Sequence, residues 1–84
     1  MQRVRFESKT LASAVYHPNR CQLELEFRSG RRYLYFQLPP QTYQELLQAP
    51  SKGGYFNRTI RNRFPFRDLS AASAPIVLPA AKTK

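Results

Sequence analysis

Apolar and polar residues alternate without interruption from Cys21 to Arg28. Cys21, Leu23, Leu25 and Phe27 stand at the odd positions, and Gln22, Glu24, Glu26 and Arg28 at the even ones. Successive side chains of a strand point to opposite faces. The pattern therefore predicts a half-buried strand of an antiparallel sheet, with Leu23, Leu25 and Phe27 inward and Glu24 and Glu26 outward. Cys21 falls on the apolar side and reads as a small core residue. Two neighbours complete a meander. Upstream, residues 11–17 carry Val15 and Tyr16, which favour strands. His17-Pro18-Asn19-Arg20 then reads as a turn, because proline presets φ at the first central position and asparagine tolerates the second. Downstream, Ser29-Gly30 reads as a two-residue hairpin link, with glycine able to take positive φ. A third strand runs from Arg31 to Leu38, with Tyr33 and Tyr35 on one face and Leu34, Phe36 and Leu38 on the other.

The period then changes. Leu38-Pro39-Pro40 ends the sheet, since proline lacks a ladder donor, and Pro40 suits the first position of a helix. Thr42 and Glu45 have capping-box spacing and offer an alternative start two residues later. Tyr43, Leu46 and Leu47 stand at i, i+3 and i+4 and form one apolar face, which Ala49-Pro50 closes. Ser51 is a good N-cap for a second helix, which places Tyr55, Phe56 and Ile60 on one arc and Asn57, Arg58 and Arg61 opposite. Gly53 and Gly54 cost that helix roughly 1 kcal/mol each relative to alanine. Their position implies a close backbone approach, to the sheet or to a ligand anion. Arg63 to Leu69, with Phe64-Pro65-Phe66, reads as an extended segment packed back on the domain.

From Ser70 the composition shifts to Ala, Ser and Pro and predicts disorder, with Ile76-Val77-Leu78 either fraying or serving as a short docking motif. Arg3 and Arg5 alternate with Val4 and Phe6, so residues 1–7 form an extension or an added strand. The expected architecture is α+β: a three-stranded antiparallel β-meander followed by two short α-helices packed on one face. The domain is expected over 8–69, with an N-terminal extension at 1–7 and a disordered, Ala/Pro-rich basic tail at 70–84.

Composition narrows the function. Eighty-four residues allow one small domain, which buries only about 60% of the surface of its unfolded chain and has a thin core. Fourteen Lys and Arg stand against five Asp and Glu, a formal net charge of +9, and twelve of the fourteen precede position 70. The domain itself is basic, which favours solubility and attraction to polyanions, nucleic acid first. A single cysteine excludes an internal disulfide framework and fits a reducing compartment. No apolar run is long enough for a membrane span, and residues 1–7 lack the apolar stretch of a signal peptide. The expected location is cytoplasmic.

Three stretches resemble the KTSC domain, a module found at the C-terminus of some lysyl-tRNA synthetases and in free-standing small bacterial proteins. The first is Leu11-Ala-Ser-Ala-Val-Tyr16, a turn, and Leu23-Glu-Leu-Glu-Phe27. The second is Tyr33-Leu-Tyr-Phe-Gln-Leu-Pro-Pro40, which is similar to the family's Tyr-x-Tyr motif. The third is Tyr43–Leu47, Ala49-Pro-Ser51, Tyr55-Phe-Asn57 and the run through Ile60-Arg61 to Phe64-Pro65-Phe66. The likeness covers residues 8–69; the tail lies outside it. By attachment to an enzyme that handles tRNA, the resemblance implies RNA as a partner.

The candidate binding residues are Arg31, Arg32, Arg58, Arg61, Arg63 and Lys52, with Tyr33 and Tyr35. Phosphate contacts need long cationic side chains free of carboxylates, and Glu24, Glu26 and Glu45 are the carboxylates close enough in sequence to compete. Tyr33 and Tyr35 have two readings: base-stacking platforms, or rings packed beneath the helices, which a thin core favours. His17 and Cys21 are only a pair, too few for a metal site, and the carboxylates show no acid–base spacing. The expectation is a non-enzymatic nucleic-acid-binding module, with RNA ahead of DNA and no cofactor. The rival is a protein-interaction module using the third strand or Phe64-Pro65-Phe66.

Overall fold

The computed structural model describes residues 3–71 and 73–79. Six strands form one antiparallel sheet in sequential order: β1 (Arg3–Arg5), β2 (Leu11–His17), β3 (Gln22–Phe27), β4 (Arg32–Tyr35), β5 (Phe66–Asp68) and β6 (Ile76–Val77). Between β4 and β5 run α1 (Pro40–Gln48) and α2 (Lys52–Tyr55), the latter continued by a π-helical turn at Phe56–Ile60. The α+β class and the meander at β2–β4 match the sequence reading, but the sheet has six strands rather than three. The possible added strand near the N-terminus is β1, paired with β2. The segment expected to pack back on the domain does so as β5, alongside β4. Ile76–Val77, in the stretch expected to be unstructured, pairs with β5. Residues 80–84 of the expected tail lie outside the described residues.

Register decides which face each side chain joins, because directly opposed residues of an antiparallel pair share a face. Leu25 opposes Ala14 and Tyr33, and Leu23 opposes Tyr16 and Tyr35. All six lie on the face the helices cover. There they join Leu38, Tyr43, Leu46, Phe56 and Ile60 in one core. The fully buried leucines at 11, 23, 25, 38 and 46 each bring roughly 1.5–3 kcal/mol by leaving water. A bulge between Leu11 and Ser13 inserts Ala12, so Leu11 turns inward opposite Phe27 while Ser13 turns outward opposite Glu26.

Three details depart from the sequence reading. The third strand stops at Tyr35 rather than Leu38, because Gln37 takes φ +58° and breaks the alternation. Leu38 thereby swings into the core. Its amide donates to the Cys21 carbonyl at 2.8 Å, and its carbonyl accepts from the Tyr16 hydroxyl at 2.7 Å. Cys21 is not a core residue of β3. It sits half-buried in the preceding turn with φ +52°. The hairpin loop runs from Arg28 to Arg31, closed by the Phe27 amide on the Arg31 carbonyl, with Gly30 at φ +96°.

The helix signals hold. Pro40 occupies the first turn of α1, so the later capping-box start is not used, and Glu45 instead accepts from the Tyr55 hydroxyl at 2.7 Å. Ser51 caps α2 by accepting from the Gly54 amide at 3.0 Å. The close approach implied by the glycines is to the protein itself: a Cβ at Gly53 would lie 2.7 Å from Thr10 Oγ1. Among the described residues no helix is long and apolar enough to cross a membrane.

Candidate functional site

The helix-facing side of β3–β5 ends in a cup of five aromatic rings. Alternation places Phe27 on β3, Tyr33 and Tyr35 on β4 and Phe66 on β5 towards the helices, and Phe56 descends from the π-helical turn. Neighbouring rings form a closed circuit. Phe27 meets Tyr33 at 5.5 Å between centroids, Tyr33 meets Phe66 at 5.3 Å, and Phe66 meets Tyr35 at 5.6 Å. Tyr35 then meets Phe56 at 5.8 Å and Phe56 meets Phe27 at 5.2 Å. Four of these five contacts are edge-to-face, the geometry that ring quadrupoles favour.

The circuit encloses a groove of about 520 Å³ rimmed by Thr10, Asn57, Arg61 and Asn62. Such a volume falls in the range of small-ligand clefts, of the order of 300–1,000 Å³. Tyr35 and Phe56 form its floor, exposed by only 4% and 6%, while Phe27, Tyr33 and Phe66 are half-buried. The polar rim depends on the π-helical turn. There the Arg61 amide bonds the Phe56 carbonyl five residues back, at 2.8 Å. Widened turns of this kind often occur at functional sites. Asn62 follows in a left-handed conformation, φ +64°, which asparagine tolerates better than most residues. Arg61 Nη1 donates to Asn57 Oδ1 at 3.5 Å, a long contact. Burial pushes the Tyr35 phenol well above its ordinary pKa, with the neighbouring Tyr33 adding to the rise and the Arg61 charge opposing it.

The predicted cationic residues do not converge on one patch. Arg32 lies on the uncovered sheet face and pairs with Glu24 at 3.4 Å. Arg3 joins it there, 3.8 Å from Glu24 and 3.7 Å from Glu26, and also donates to the buried Ser13 hydroxyl, which donates in turn to Glu26. Arg31 pairs with Asp68 at 3.3 Å, a carboxylate that only the return of β5 brings near. Lys52 caps the C-terminal end of α1, donating to the Leu47 and Ala49 carbonyls at 3.0 and 2.6 Å. Arg58 is exposed and reaches back over α2: a Cβ on Gly54 would lie 3.1 Å from its Nη1. Arg63 is exposed in the turn after the π-helical segment. Of the predicted set, Arg61, Tyr33 and Tyr35 come together at the groove.

Sequence reasoning missed Asn57, Asn62 and Thr10 at the rim, and Phe27 as a wall. Phe66, in the segment expected to pack back on the domain, is a wall too. Arg28, the last polar position of the alternating run, is spent on structure: its guanidinium bonds the Ser8 and Phe6 carbonyls at 2.8 and 2.6 Å. Among the described residues no group of three or more His, Cys, Asp or Glu side chains gathers to hold a metal ion.

Comparison with known proteins places this arrangement in a family. The crystal structure of a KTSC domain protein from Yersinia pestis superposes with a TM-score of 0.79 at 32% identity, covering 81% of this chain and 96% of that one. A protein of Stutzerimonas stutzeri is 43% identical over 61 residues, which is 73% of this chain and 86% of the relative. A lysine–tRNA ligase of Nostoc punctiforme is 39% identical over 64 residues, 76% of this chain but only 11% of the ligase. The chain thus matches a small part of that enzyme and nearly the whole of the free-standing relatives. The family model for the KTSC domain matches residues 7–64, a span holding the meander, both helices and four of the five rings of the cup, and the chain belongs to the KTSC domain family.

Proposed function

We propose that this KTSC domain is a binding module for single-stranded nucleic acid, RNA ahead of DNA, acting through the aromatic cup and Arg61. The observation that carries the reading is the cup itself. Five rings meet at one opening, its rim supplies a guanidinium and two amides, and no carboxylate lines it. Single-strand binders combine aromatic rings, on which bases stack, with cations that follow the backbone, and a domain of net charge +9 attracts such a ligand over a distance. The similarity to part of a lysine–tRNA ligase supports RNA as the nucleic acid. The pairing of Arg31 and Arg32 with carboxylates moves the site from the hairpin to the helix side.

Titration with single-stranded and duplex RNA at several salt concentrations tests the proposal. The single strand is expected to bind more tightly, and both affinities to fall as salt rises, because phosphate contacts release counterions. Absence of single-strand binding at low salt refutes it. One observation favours a second reading. Ile76, Val77 and Leu78 are exposed by 47%, 43% and 71% along the edge strand β6, the type of apolar edge that can add a partner's strand. Leu78→Ser, at the most exposed of the three, leaves RNA affinity intact under the first reading and weakens partner capture under the second.

A further inference from the structure

We infer that the cup seats one unstacked nucleobase and that the strand leaves it across the ridge formed by Thr10 and Asn57, towards Lys9. The unit of recognition is then a single nucleotide, an inference that rests on the nucleic-acid reading above. Thr10 and Asn57 line both the aromatic groove and a second, polar hollow of about 550 Å³. The two concavities therefore share a wall, and one continuous ligand can occupy both.

Their chemistry is complementary to the two ends of a nucleotide. The aromatic side offers ring surface and the amides of Asn57 and Asn62. Each amide carries a donor and an acceptor, the pairing that reads the edge of a base. The polar side is lined by the Lys9 and Lys52 ammonium groups and the hydroxyls of Ser8 and Thr10, with one carboxylate, Glu7, that a phosphate must avoid. Ser8 Oγ accepts from the Thr10 and Leu11 amides at 3.1 and 3.2 Å, which orients its lone pairs inward and leaves its proton for an anion. Charge excludes the other usual guest of an aromatic cup, a quaternary ammonium: the groove is lined by one guanidinium and no carboxylate.

The test compares a short oligouridylate and oligoadenylate with an abasic ribose-phosphate chain of the same length, which keeps every phosphate and loses every base. Binding is followed by the fluorescence anisotropy of an end-labelled strand, which reads the abasic and the base-bearing chains on one scale. The base-bearing strands are expected to bind at least about fivefold more tightly than the abasic one, the lower bound for one stacked base. Tyr33→Ala and Asn57→Ala are each expected to lower the affinity of the base-bearing strands more than that of the abasic one, and so to narrow that difference. Asn57 is exposed, so its variant keeps the fold and carries the comparison should Tyr33→Ala lower stability. Equal binding of abasic and base-bearing strands overturns the seating of a base and the part of the cup in the reading above, and leaves only nucleic-acid binding through phosphate contacts. Absence of binding by all strands at low salt overturns both.

Discussion

Substituting Gly53 by alanine tests the contact that sets the spacing between the helices and the sheet. By intrinsic propensity the change stabilises a helix by about 1 kcal/mol. The structure argues the reverse. The new methyl carbon would lie 2.7 Å from Thr10 Oγ1 and 3.0 Å from Thr10 Cβ, against about 3.5–4.0 Å for an unstrained contact between carbons. Thr10 Cβ is attached directly to the backbone and has no flexible end to give way. Its segment is also held, because the Thr10 carbonyl accepts from the Arg28 amide at 2.9 Å. Overpacking of this kind costs about 1–3 kcal/mol. Less the propensity gain, the net loss is about 0–2 kcal/mol, which for a domain of this size lowers Tm by up to about 8–16 °C.

A double-mutant cycle isolates the contact. Thr10→Ala removes the 2.7 Å neighbour and leaves only the 3.0 Å one. In that background Gly53→Ala is expected to cost about 1 kcal/mol less than in the native chain, a coupling between the two sites, with the 3.0 Å approach to the Cβ of residue 10 still in place. Thermal unfolding followed by circular dichroism supplies all four values. If Gly53→Ala alone raises Tm, or if the two effects simply add, the approach of α2 to Thr10 does not limit the packing and the reasoning fails.

Tyr16→Phe removes the hydroxyl that satisfies the buried Leu38 carbonyl; a loss of about 1–3 kcal/mol in urea unfolding at neutral pH is expected. Burial pushes the Tyr16 phenol up to about 12 from 10.0, with a smaller contribution from Cys21. Tyr35, Tyr43 and Tyr55 shift in the same direction, each chiefly by burial. These phenols are protonated in both states below pH 10, so their contribution is complete there. Above pH 10 the unfolded chain releases protons that the native one retains, and stability falls until the native phenol titrates near pH 12. Urea midpoints across that window check the slope, which Tyr16→Phe is expected to flatten. For RNA, Arg61→Ala is expected to weaken single-strand binding and reduce the salt slope by about one counterion. Arg32→Ala, whose guanidinium is paired on the opposite face, is expected to leave affinity within about twofold, the scale of an exposed ion pair.

What could be read in advance follows from how local each signal is. The strand at Leu23–Phe27 announces itself because five residues suffice to show the alternation, and α1 and α2 because Pro40 and Ser51 act on their immediate neighbours. β1 and β5 have three residues each and β6 two, so the alternation at Arg3–Phe6 offers β1 only as an alternative to an extension, and β5 and β6 show no period at all. Their strand character comes from pairing with neighbours already in place. Gln37 and Cys21 take left-handed conformations that their side chains do not signal. The early end of β4 and the displacement of Cys21 from the core therefore had no local mark.

The same distinction governs the site. Charge was legible as a total, but its usable part depends on pairing. Asp68 reaches Arg31 across 37 positions of sequence, and Glu24 serves Arg3 and Arg32 at once, so the two predicted cations of the hairpin are held by the sheet. The aromatic motif posed a choice between core and platform, and burial separates its two rings: Tyr35 is core and Tyr33 is half-buried. Tyr33 and Tyr35 share a face, but Tyr35 opposes Leu23 in the middle of the core, and Tyr33 opposes Leu25 and Asp68 towards its margin. Phe56 therefore touches Tyr35 and Phe27, while Tyr33 is held from the sides by Phe27 and Phe66. A thin core has no room to bury every ring. The ring left at its edge is fixed by its neighbours and still open to a ligand, which is the preorganisation a stacking site requires.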